Sequence, residues 1–192
     1  MSKINAALEK IQRQSFSYFL HETNPANGLV IDKTATNWPA SIAATGLALA
    51  TYPVAVERAF MSRAAAVERT LATLRFFWRS PQGPEPDATG YRGFYYHFLD
   101  MRTGRRAWKS ELSTIDSTFL LAGALTAGVY FDAESDDERE IRTWLTRFIA
   151  GRTGNGRKTM AKPRRMAGNQ KEAFSNTAGK ATMKRCFFIY WD

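Results

Sequence analysis

The sequence predicts a mainly α protein, built of helical-hairpin layers with one β-hairpin. Three observations lead there. Apolar residues recur at helical spacing through most of residues 1–143. The segments SIAATGLALA and FLLAGALTAG are apolar on every side, as helices packed between other helices are. GFYYHFLD, the turn MRTG and RRAWK alternate as strand, turn and strand. With 192 residues the chain is long enough for one domain with a real core.

The elements follow in order. Ser2 can cap a first helix that carries Ile4, Leu8, Ile11, Tyr18 and Phe19 on one face. HETNPANG ends it with Pro and Gly, and a short extended piece, GLVIDK, follows. Pro39-Ala40-Ser41 opens the small-residue helix SIAATGLALA, where Gly and Ala permit close helix–helix approach. Pro53 is expected to break that helix before VAVERAF resumes. Ser62 caps a longer helix through Val67, Leu71, Leu74, Phe77 and Trp78. SPQGPEPDATGYRG is a Pro/Gly loop of the length that serves a site or is mobile. After the hairpin, Ser113 starts STIDSTFLLAGALTAGVYF, and DAESDDERE leads into a last helix.

The charge is distributed unevenly. The formal net charge is +9, yet residues 1–143 hold 16 basic and 16 acidic groups, so the whole excess lies from Trp144 onward. Basicity therefore describes a tail and is poor support for a phosphate-binding domain. One cysteine, Cys186, excludes an internal disulfide framework. The longest apolar run, FLLAGALTAGVYF, is too short to span a bilayer, and MSKINAALEKIQRQSF has no apolar stretch like a signal peptide, so a cytoplasmic protein is expected. There is no GxGxxG, P-loop, CxxC or HExxH, and two histidines with one cysteine speak against a conventional zinc site. No metal and no cofactor is expected.

The chemistry-bearing stretch is GYRGFYYHFLDMRTGRRAWKSELSTIDST. It gathers Tyr91, Arg92, Tyr95, His97 and Trp108 near Glu111 and Asp116. Sugar sites need this mixture: flat aromatic faces for the apolar faces of the ring, a carboxylic acid to protonate the leaving oxygen, and a carboxylate to activate water or attack. Each residue also has a plainer reading. Ser113 to Asp116 fits a capping box, and Glu111 can simply favour the positive end of the helix. His97 and the neighbouring aromatics alternate as strand residues do, and the Arg102–Lys109 cluster is a solvated turn in its simplest form.

The stretches IQRQSFSYFLHETNPANGLVIDK, SIAATGLALATYPVAVERAFMSR, TLRFFW and GFYYHFLDMRTGRRAWKSELSTIDSTFLLAGAL resemble the bacterial glucoamylase-like family, with ELSTIDST the most specific part. That family includes β-1,2-glucan-active enzymes and a domain of cyclic β-1,2-glucan synthases. The resemblance implies an incomplete (α/α)6 toroid over 1–143 and glycoside hydrolysis of a β-glucan. It carries acidic catalytic roles onto Glu111 and Asp116, and substrate contacts onto Asp32, Trp38 and His97. Arg92, Tyr95 and Trp108 complete the expected substrate-binding set. Family domains are about twice this length, since an α-barrel needs a dozen helices.

From Gly156 to Asp192 the periodicity disappears and Lys, Arg, Gly, Asn, Ser and Thr alternate. Two explanations are open. One is a basic arm that binds nucleic acid or an anionic surface, although it lacks a recognised module. The favoured one is out-of-frame translation after loss of one base near Thr143–Trp144. Met and Trp have single codons, so a shifted reading is forced to Gly after Met160 and Met166, to Glu after Met183 and to Gly after Trp191. These fall where the family pattern, with its HGW and GY.EA elements, wants them. The expectation is a truncated protein, inactive in this form, with 151–186 disordered.

Overall fold

A computed structural model describes residues 3–149. Its elements are α1 (Lys3–His21), β1 (Ala40–Ser41), α2 (Ile42–Glu57), α3 (Arg63–Arg79), β2 (Gly90–Tyr91), β3 (Phe94–Tyr96), β4 (Phe98–Leu99), β5 (Leu112–Ser113), α4 (Thr114–Tyr130) and α5 (Asp136–Ile149). The expected disorder of 151–186 lies outside the described residues.

The two all-apolar helices, α2 and α4, lie side by side and form the centre. Gly46 on α2 faces Gly123 on α4, and the backbones touch: a Cβ on Gly46 would sit 2.6 Å from the Leu120 nitrogen. The polar-faced helices α3 and α5 pack against each other beside this pair. Tyr52, Leu74, Phe77, Phe131 and Ile141 are fully buried between the layers. The serines start their helices as expected. Ser41 Oγ accepts from Ala44 N (3.3 Å), Ser62 Oγ from Ala65 N (3.2 Å) and Ser113 Oγ from Asp116 N (3.1 Å).

Four expectations change or gain detail. Pro53 lies inside α2 and is buried, without ending it. The loss of one intrahelical bond costs roughly 3 kcal/mol, and the burial of Leu49, Tyr52 and Ala55 around it outweighs that. On α1, Ile4, Leu8 and Ile11 share a face but are exposed; contact with the core starts at Phe16, whose ring lies 6.1 Å from that of Phe60. Periodicity gives the face of a helix, not whether a partner lies opposite it. The hairpin is rearranged. A two-residue turn, Arg92-Gly93 with φ of 52° and 87°, joins β2 to β3, while RRAWK contributes only the bridge Leu99↔Arg106. Such a turn needs both central residues left-handed, which Gly93 accepts freely. β4 pairs with β1, and β3 with β5, so the strands stitch the helix starts together. Finally, α5 runs on through residues 143 and 144 to Ile149. Leu145 and Phe148 are buried, and the Trp144 ring lies 5.3 Å from Trp78.

Two ion pairs fasten α3 to α5. Arg63 forks onto the buried Glu138 carboxylate with both distances 2.8 Å, and Arg75 reaches Glu140 at 2.5–2.7 Å. The Arg75 guanidinium is the main cause that pushes the Glu140 carboxyl down from 4.5 to about 2, against a smaller opposing effect of burial. Arg63 lowers Glu138 in the same way. A carboxyl depressed in the folded state stabilises it above the unfolded pKa, and that contribution is lost as pH falls through the folded value. The thermal midpoint is therefore expected to fall as pH drops from about 4.5 to about 2. Glu140→Gln should flatten that part of the profile; an unchanged profile would show that the Arg75 pair does not contribute.

Candidate functional site

The site forms where the two small sheets meet the start of α4. His97 sits between β3 and β4. Its backbone N–H donates to Glu111 O (3.0 Å), and its carbonyl accepts from Ile42 N (3.2 Å). Backbone bonds to both sheets thus fix where the imidazole projects. Nδ1 lies 2.7 Å from Glu111 Oε1, and Nε2 lies 3.7 Å from Asp116 Oδ2. The ring stacks on Phe98 at 3.9 Å and 13°. Phe98 meets Trp108 at 5.3 Å, and Trp108 meets Trp38 edge-on at 4.6 Å. An aromatic series thus runs from Trp38 to His97 and ends between two carboxylates.

The loop that brings Trp38 here is tied down at both ends. Asn24 and Asn27 each donate a side-chain N–H to Met101 O, at 2.8 and 3.0 Å, which joins the 22–28 turn to the 101–104 turn. Trp38 Nε1 donates to Asp32 Oδ2 (3.1 Å), and Lys33 Nζ lies 3.7 Å from the Trp38 ring centre. Asp32 therefore orients Trp38. Trp108 is 58% exposed, although aromatic side chains usually bury. Trp108 and Lys109 both have positive φ, 55° and 54°. Left-handed backbone costs a non-glycine residue of order 1–3 kcal/mol, so the turn that displays this indole is strained.

The expected residues separate into groups. His97, Glu111, Asp116, Trp38 and Trp108, with Asp32 behind Trp38, come together. Tyr95 does not: it is 3% exposed and packs edge-on against Phe77 at 4.8 Å, so it belongs to the core. His97 lies two residues on, in the bend past the end of β3, so its side chain is not bound to the face that Tyr95 takes. Arg92 stands at the exposed tip of the β2–β3 turn over the Tyr91 ring, roughly 16 Å along an extended chain from His97. The Glu111 side chain is largely exposed, and its own backbone N–H and then His97 hold the carboxyl below its ordinary value. Only part of the capping box forms. Ser113 caps the Asp116 N–H, while the Asp116 carboxylate, 14% exposed, turns towards His97.

His97, Glu111 and Asp116 offer donor atoms within 4.8 Å of one another, and among the described residues no other such group has the makings of a cation site. The two carboxylates address opposite nitrogens of one imidazole. That arrangement orients and polarises the ring more naturally than it converges on one ion. The same spacing bears on hydrolysis. An inverting pair needs about 6.5–9.5 Å between its carboxyls to hold a water, so Glu111 and Asp116 are too close to be such a pair. Neither contact is visible in the sequence: Asp32–Trp38 depends on how a single irregular loop folds, and the Glu111–His97–Asp116 bracket joins residues from separate segments.

The strand-linked helix starts thus present aromatic rings and two carboxylates at one end of an α-hairpin scaffold. The relatives and structural neighbours of this chain are glucoamylase-like proteins, and the fold is part of an (α/α)6 toroid. The exo β-1,2-glucooligosaccharide sophorohydrolase of Parabacteroides distasonis is 26% identical over 141 residues, which cover 70% of this chain and 18% of that protein. The solved β-1,2-glucanase of P. distasonis matches with a TM-score of 0.69 and 24% identity, over 79% of this chain and 21% of its own. An endo-β-1,2-glucanase of Chitinophaga pinensis, solved with sophorotriose and glucose, matches with a TM-score of 0.65 and 17% identity, over 77% and 36% of the two chains. The chain thus spans about a fifth of the curated relative and a fifth to a third of these structures. No family model matches. No helix among the described residues is long and apolar enough to cross a membrane.

Proposed function

We propose that this chain carries part of the active site of a β-glucan hydrolase, with β-1,2-linked glucose as its substrate. The observation that carries the proposal is the aromatic series Trp38–Trp108–Phe98–His97 ending at Glu111 and Asp116. A pyranose ring laid on the exposed Trp108 face would have its apolar C–H face desolvated there. The next linkage oxygen would then point towards the carboxylates. Asp116, the less exposed of the two, is the acid/base candidate. The His97 imidazole faces it with Nε2 at 3.7 Å, and Glu111 fixes the opposite nitrogen of that ring by a hydrogen bond. On an inverting mechanism the two carboxylates are too close to flank a water, so the second catalytic carboxyl comes from outside residues 3–149, and the 192-residue chain is expected to bind glucan without turning it over.

The relatives named above support the substrate class, and their greater length fits a partner carboxyl on further helices. Out-of-frame translation in the tail belongs to the same proposal. Since α5 buries Leu145 and Phe148 in the present frame, the coding DNA from codon 144 onward decides it. A frame that opens after one inserted base and continues past the present stop is expected; an early stop in that frame would contradict it.

Binding is tested by titrating a β-1,2-glucooligosaccharide into the chain and following tryptophan fluorescence. Saturable binding is expected, and Trp108→Ala should weaken it at least ~10-fold, the equivalent of about 1.4 kcal/mol. No saturable change, or equal affinity in the variant, would remove the sugar-platform role. Preferential binding of nucleic acid would favour the basic-arm reading.

A further inference from the structure

We infer that Arg106 is a positioning residue that clamps the strained turn on which Trp108 is displayed; its link to glycan binding rests on the proposal above. Residues 107–110 form a tight turn closed by Ser110 N–H donating to Ala107 O (3.0 Å). Both central residues, Trp108 and Lys109, are left-handed. Turns of this kind are normally made by Asn-Gly or Gly-Gly, and a tryptophan followed by a lysine does not adopt the conformation on its own account.

The Arg106 guanidinium supplies what the turn lacks. Nε donates to Ser110 O (2.6 Å), Nη2 donates to Lys109 O (2.8 Å), and the plane lies 4.1 Å from the Tyr96 ring centre. One planar fork thus holds two successive carbonyls of the turn, a geometry that a lysine cannot reproduce. The Arg106 backbone is fixed independently, by the Leu99↔Arg106 bridge and by N–H donation to Asp87 O (3.3 Å). The end of the turn is also fixed, because Ser110 Oγ accepts from Phe98 N (3.2 Å). What remains to be set is the peptide orientation at 108 and 109. That orientation decides whether the Trp108 indole meets Trp38 and where the chain enters Glu111. Arg106 thereby acts on the glycan platform without touching the sugar.

Two indoles 4.6 Å apart and 79° inclined couple excitonically, so their relative placement can be followed by circular dichroism in the full chain without any ligand. Trp78 and Trp144 form a second pair, and Trp108→Phe defines the part of the couplet that belongs to Trp38–Trp108. Arg106→Met is expected to lose that part while the helical signal stays. Arg106→Lys keeps the charge but not the fork and should lose it as well; it carries the test if the Met variant does not fold. Lys109→Gly accepts the left-handed conformation without a clamp. Adding it to either Arg106 variant should therefore restore the couplet, and with it the oligosaccharide affinity, which the Arg106 variants alone lose to the level of Trp108→Ala. A couplet retained in Arg106→Lys, or one that Lys109→Gly fails to restore, would overturn the inference. Failure of the wild-type chain to bind β-1,2-glucooligosaccharide, with the couplet behaving as described, would instead overturn the glycan reading and leave the clamp standing.

Discussion

Gly123→Ala is expected to destabilise the chain by about 2 kcal/mol or more, although alanine is the better helix former. Two effects oppose each other. Propensity favours alanine by up to ~1 kcal/mol in a helix interior. Against that, a Cβ at 123 would fall inside the van der Waals radius of the Gly46 carbonyl oxygen, with the Gly46 carbon 2.8 Å away. The obstacle is the backbone of a central helix, which cannot change rotamer, so α2 and α4 must separate. Overpacking of a movable core costs about 1–3 kcal/mol, and this site cannot relax by side-chain motion. The clash therefore outweighs the propensity. Gly128 is the control: its added Cβ would meet only the Leu145 side chain, so Gly128→Ala should cost much less. Urea midpoints at constant m-value measure both. Equal, small effects at the two positions would mean that α2 and α4 do not touch through their glycines.

The second large effect is chemical. In the enzyme with its frame restored, Asp116→Asn should lower turnover of β-1,2-glucan at least ~10²-fold, the usual size of a general acid/base contribution. Its structural cost should be small for a visible reason. The cap at the start of α4 runs from Ser113 Oγ to the Asp116 backbone N–H, which asparagine keeps. What is lost is one negative charge in the first turn, worth roughly 0.3–1 kcal/mol. Ser113→Ala does the reverse and should cost about 1 kcal/mol through the lost cap. The two variants thus separate the role of the carboxylate from the role of the helix start.

The legible and illegible parts of this molecule divide along physical lines. Helix α3 is visible because it is long and periodic, α2 and α4 because they are long small-residue apolar runs, and all three open on serine caps. The small residues of GLALA and LAGALTAG announced close packing, and Gly46 against Gly123 is that contact. Pro53 misled because a local rule was applied to a helix that tertiary burial holds on both sides. The Ile4–Leu8–Ile11 stripe is legible as one face of α1, but spacing does not show what lies across from it, and the three side chains are exposed. The strand pairs were misassigned because two-residue strands take their partners from distant segments: β4 pairs with β1, more than fifty residues away in sequence. In the site, residue types point to sugar chemistry, and the structure brings His97, the two carboxylates and the aromatic series together. Tyr95 is placed in the core rather than with His97, because the bend after β3 separates the two side chains although they are only two residues apart. Arg106, set aside as one charge of a solvated turn, gains its role only from the two carbonyls that its fork reaches.

The most direct measurement is the turnover of β-1,2-glucan by the frame-restored enzyme and its Asp116→Asn variant, with the thermal midpoint of each recorded in the same buffer. A fall in turnover of at least ~10²-fold at a nearly unchanged midpoint is the expected result. Near-normal turnover with a lowered midpoint would contradict it and return Asp116 to the start of α4 as a helix residue alone.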